Sequence, residues 1–78
     1  MRIYFDRLPF SANERVLRDL FGEYGRVERI KIQRTDRGAS AGWGWLDMPD
    51  PTEAETALHA LQGVQLGRWP LKLRVGVL

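Results

Sequence analysis

Residues 41–48, AGWGWLDM, form a stretch with no polar face. As an extended strand it sends Trp43, Trp45 and Asp47 to one side and Gly44, Leu46 and Met48 to the other. Such a strand asks for cover on both faces. A chain of 78 residues makes one small domain, residues 1–78, with room for a single core. What the neighbouring segments can supply therefore decides the fold.

Residues 2–6, RIYFD, alternate and read as a strand. Ser11 with Glu14 three positions on forms a capping box, which opens a helix through Phe21. Val16, Leu17, Leu20, Phe21 and Tyr24 recur at helical spacing, and Gly22 and Gly25 supply the stop. Residues 26–33, RVERIKIQ, run near period two, with one slip between Val27 and Ile30 that predicts a bulge. A polar loop, TDRGAS, leads to the strand at 42–48. Asp50-Pro51 then caps a second helix with a buried stripe of Ala54, Ala57, Leu58 and Leu61, closed by Gly63. A last strand follows at 71–75, LKLRV.

The order β-α-β-β-α-β predicts an α+β, ferredoxin-like sandwich: a four-stranded antiparallel sheet with both helices on one face. The other face has no covering layer. Matching apolar positions to the helix side puts Ile3, Phe5, Leu71, Leu73 and Val75 inward, with Gly44 letting a helix approach closely. The open face then collects Arg2, Tyr4, Asp6, Trp43, Trp45, Asp47, Lys72 and Arg74.

Tyr4, Trp43 and Trp45 together offer roughly 450–750 Å² of aromatic surface at about 150–250 Å² per ring. The largest apolar patch of a typical monomer is about 300–600 Å², and larger ones mark binding sites. Net charge is only +2, but the open face pairs five cations (Arg2, Arg29, Lys31, Lys72 and Arg74) with two carboxylates, Asp6 and Asp47. The helices carry the acidic excess. Flat rings on a basic sheet suit single-stranded nucleic acid, whose bases stack on aromatics while cations track the phosphates.

Other chemistries find little support. The chain has no cysteine, which removes disulfides, thiolate metal sites and cysteine nucleophiles. It contains no phosphate loop and no serine with a base partner, and His59 sits alone on the exposed side of the second helix. No catalytic residue, metal, cofactor or small-molecule substrate is expected. There is no apolar run long enough for a membrane span and no signal-peptide pattern.

These residues resemble the RNA recognition motif family. Its octamer signature is matched by Ala41-Gly42-Trp43-Gly44-Trp45-Leu46-Asp47-Met48, and its hexamer by Ile3-Tyr4-Phe5-Asp6-Arg7-Leu8. Similarity continues through LPF, DLFGEYG and EAETALHALQG and so covers essentially the whole chain. The resemblance implies that Tyr4 and Trp45 each stack a base, that Trp43 packs against sugars, and that Lys72, Arg74 and the chain end touch RNA. It also points to the small stand-alone bacterial proteins of the family. Departures are Ala41 in place of a basic residue, with Arg34 or Arg37 as loop replacements, Arg7 in place of Asn, Met48 in place of a core-facing aromatic, and Arg68-Trp69 in place of Gly-Arg. Trp69, before Pro70, is expected to pack at the entry to the last strand.

The reading is a monomer that binds single-stranded RNA, with single-stranded DNA as a second candidate, in the cytoplasm or in a eukaryotic nucleus. The rival is a protein-interaction module whose aromatic sheet face takes a peptide, a partner or a second copy.

Overall fold

The computed structural model describes residues 1–76. The expected order is present: β1 (Arg2–Asp6), α1 (Glu14–Gly22), β2 (Arg29–Arg34), β3 (Ser40–Asp47), α2 (Pro51–Leu61) and β4 (Lys72–Gly76). All strand pairs are antiparallel, in the spatial order β2-β3-β1-β4. The two central strands are therefore the ones that carry the hexamer and octamer sequences. Ile3, Phe5, Leu46, Met48 and Leu71 from the sheet side meet Leu17 and Phe21 of α1 and Ala54, Ala57 and Leu61 of α2 in one core. The small alanines let α2 lie close to the sheet.

Several local features depart from expectation. The cap of α1 is Asn13, whose side chain accepts a hydrogen bond from the Val16 amide at 3.1 Å. Ser11 is spent in a turn, closed by the Ala12 amide donating to the Pro9 carbonyl at 3.0 Å. Val27 is buried ahead of β2 rather than within it, and the irregularity falls between Ile32 and Arg34, at the other end of the strand. Gly44 is needed, but no helix approaches it. A side chain there would meet the Lys31 carbonyl and the Phe5 ring, so it admits the neighbouring strand and its own core. Val75 pairs with Ile3 and shares its parity, yet is 52% exposed, because it lies on an edge strand.

The connection from α2 to β4 is itself structured. The Gly63 amide donates to the Leu71 carbonyl and the Leu71 amide to the Val64 carbonyl, both at 2.9 Å, and Gln65 bridges to Pro70. This small hairpin rests its tip, Gly67, on Pro9. Just past α2, the Gln62 amide forms two hydrogen bonds with the backbone of Leu73. Its Nε2 donates to the carbonyl at 2.6 Å, and its Oε1 accepts from the amide at 2.8 Å.

Candidate nucleic-acid interface

Strand register builds the open face row by row. In one row Lys31 pairs with Trp45, Trp45 with Tyr4, and Tyr4 with Arg74. The two expected stacking rings are thus direct cross-strand neighbours at the middle of the sheet, with a cation at each end. The next row is Arg29, Asp47, Arg2 and Gly76. Gly76 matters because a side chain there would strike the Tyr4 ring, so the bare backbone gives that ring its seat. Towards the other end, Trp43 is 48% exposed and borders a hollow of about 270 Å³, together with Tyr4, Asp6, Lys72 and Arg74.

Arg2 is held within the protein. Its Nε and Nη2 donate to the two carboxylate oxygens of Asp47 at 2.8 and 3.1 Å. Its guanidinium carbon lies 3.6 Å from the centre of the Trp45 ring. Asp47 thus draws Arg2 flat across the indole, a cation–π contact worth about 0.5–1 kcal/mol at an exposed site. Arg74 sits more loosely over Tyr4, at 5.1 Å. Hydrogen bonding from Arg2 holds the Asp47 carboxyl below the usual carboxylate range against the opposing effect of burial, with charge from Arg2, Arg29 and the amino terminus adding to it. A lowered carboxylate pKa stabilises the fold above the ordinary value near 4, and that contribution is lost as pH falls through the lowered value. At neutral pH Asp47 is an anion that anchors Arg2, with no proton to give.

The remaining cations divide. Arg29 lies 3.7 Å from Asp47 but stays mostly exposed. Lys31, Lys72 and Arg74 are exposed along the sheet, and Arg37 is exposed in the turn between β2 and β3. Arg34 is paired with Glu14 of α1, with Nη2 at 3.0 and 3.1 Å from its carboxylate oxygens. Arg37 is therefore the freer of the two loop replacements for the charge missing at Ala41. Val77 and Leu78, expected to touch RNA as the chain end, lie outside the described residues. Among the described residues there is no group of three or more His, Cys, Asp or Glu side chains placed to hold a metal.

At the end of the sheet where β1 stops and β3 and β4 begin, two residues stand out that composition did not flag. Trp69 is 60% exposed rather than packed at the strand entry, because the hairpin supports its backbone and leaves its ring outside. Phe10 is 82% exposed in the turn after β1. A Phe in a short turn between a strand and a helix cap was the available sequence signal. Arg7 lies between them with φ +64°, the left-handed region, and its amide donates to Asp6 Oδ1 at 2.7 Å. Asparagine tolerates that conformation better than arginine. Arg7→Asn is expected to relieve about 1 kcal/mol and raise the thermal midpoint about 4–8 °C. Scanning calorimetry checks this, and an unchanged midpoint would mean that the turn stores no strain.

The sequence profile of the RNA recognition motif family matches residues 3–72. The chain belongs to that family. This RNA recognition motif is 35% identical over 69 residues to polyadenylate-binding protein 5 of Arabidopsis thaliana, covering 88% of the chain and 10% of that protein. Its fold superposes with a TM-score of 0.89 on the Sxl-lethal protein/RNA complex, at 28% identity over 96% of this chain and 47% of that one. The Rna15 RRM with bound RNA (GU) gives 0.86 at 26% identity, covering 96% and 81%. The motif spans about a third or less of the length of the curated relatives it matches.

Proposed function

We propose that this RNA recognition motif binds single-stranded RNA across β1 and β3 of its open sheet face. The observation that carries the reading is the central row, in which Trp45 and Tyr4 lie side by side with Lys31 and Arg74 flanking them. Two stacked bases would bring the phosphates between and beside them within reach of those cations. Trp43 would pack against a sugar beside the hollow it shares with Tyr4. Lys72, Arg29 and Arg37 would meet phosphates further along. Arg2, committed to Asp47, would enter only when a base displaces it from Trp45 or slides beneath it. The bound RNA of the Rna15 and Sxl-lethal neighbours supports the assignment.

The protein is read as a monomer that acts where RNA is present, in the cytoplasm or a eukaryotic nucleus, with single-stranded DNA as a second candidate ligand of the same face. No helix among the described residues is long and apolar enough to cross a membrane.

Salt dependence is the test. If three or four phosphates are neutralised, affinity for a mixed-sequence RNA should fall about 20- to 50-fold between 50 and 200 mM salt, at a slope near −0.7 per phosphate. Quenching of tryptophan fluorescence reads the binding. An absence of quenching at either salt, with a doubled mass in sedimentation, would instead mean that the aromatic face is an interface between copies.

A further inference from the structure

Phe10 and Trp69 are the two most exposed large apolar side chains among the described residues, and they share one recess. It holds about 420 Å³ and is also lined by Arg7, Ala41, Gly42 and Arg68. Ligand pockets run from about 300 to 1,000 Å³, so this one suits a single nucleotide rather than a large ligand. Asp6 borders both this recess and the hollow beside Tyr4 and Trp43, so the two adjoin at the end of β1.

We propose that this recess is an additional nucleotide subsite, in which a base beyond those on the sheet stacks against Trp69 and Phe10 while Arg7 and Arg68 hold its phosphates. The inference rests on the sheet-face reading, because the same RNA strand would have to run off β1 and over this corner. Three features favour a nucleotide over a peptide as occupant. The recess adjoins the aromatic hollow at Asp6. It pairs rings with two cations against a single lining carboxylate, Asp6, and no carboxylate lies within ion-pair distance of either arginine among the described residues. Its walls are also prearranged. The Leu8 amide donates to the Gly42 carbonyl at 2.8 Å, and Gly67 seats the hairpin on Pro9. Ala41 gains a role here, since a long basic side chain at that position would project where the recess now opens. The left-handed backbone at Arg7 also fits, because strain of this kind is kept where it aims a side chain at a ligand.

The experiment compares a trinucleotide with a hexanucleotide of mixed-sequence RNA, against the parent, Trp69→Ala and Trp69→Phe. Trp69→Ala should weaken hexamer binding about 5- to 150-fold, the worth of one base stack, and leave the trimer within twofold. Trp69→Phe should keep most of the hexamer affinity. Phe10→Ala, on a separate loop, should repeat the hexamer-specific loss. Both arginines survive in every variant, so a general loss of charge cannot mimic the pattern. Hexamer affinity unchanged in Trp69→Ala would overturn the subsite. So would equal losses for trimer and hexamer, which would report damage to the fold or sheet face. A parent that binds neither length overturns the sheet-face reading and the subsite with it.

Discussion

Trp45→Ala should weaken binding of single-stranded RNA about 5- to 150-fold while moving the thermal midpoint only a few degrees. The ring is half-exposed at the centre of the sheet, beside Tyr4, and little of the core depends on it. A base stacked on an aromatic ring contributes about 1–3 kcal/mol. Part of that gain is offset here, because the outer face of the indole already carries the Arg2 guanidinium. A base that displaces Arg2 gives up about 0.5–1 kcal/mol of cation–π energy. The measured loss should therefore fall in the lower half of the range. Trp45→Phe keeps a ring under the base and should cost much less. Fluorescence anisotropy of labelled RNA at 50 mM salt separates these outcomes. A Trp45→Ala affinity within twofold of the parent would remove the indole from the binding surface.

The largest effect on stability is expected from Phe21→Ala. Phe21 is fully buried on α1 and packs in the core shared by α1, α2 and the sheet. Truncating a buried phenylalanine costs about 3–5 kcal/mol, part lost transfer energy and part the cavity left behind. Native domains hold only about 5–15 kcal/mol, and a chain this short sits at the low end of that range. Urea denaturation should show most of the folding free energy gone, with RNA binding failing in proportion to the unfolded fraction. A shift in stability below about 1 kcal/mol would mean that the helix layer repacks around the gap.

The element order and the face of each side chain were legible from local periodicity, and the bare face followed from the handedness of the two crossovers. Trp43 and Trp45 share a parity, Ala54, Ala57 and Leu61 share a helical stripe, and Pro51 and Gly63 punctuate that helix. What escaped depends on contacts between segments. Ser11 and Asn13 are both competent caps, and the turn from Pro9 to Ala12 decides between them. Arg2 reads as one of five cations facing two carboxylates until register places it opposite Asp47, next to the Tyr4–Trp45 pair. The exposure of Trp69 follows from a hairpin held by bonds between Gly63, Val64 and Leu71, which no period of two or 3.6 announces. The aromatic pair at the centre of the sheet was therefore visible early. The arginine laid over it and the corner recess required the assembled fold.

The two hydrogen bonds between Gln62 and Leu73 carry a consequence for self-association. A sheet that keeps one broad face wet for a ligand also has two outer strands, and β4 is one of them. Outer strands with free amide and carbonyl groups invite a strand from another chain to add on. The Gln62 amide occupies those groups at Leu73, near the start of β4, in effect a one-residue false strand. A strand approaching this edge from another copy would find its first docking point already filled from within the chain.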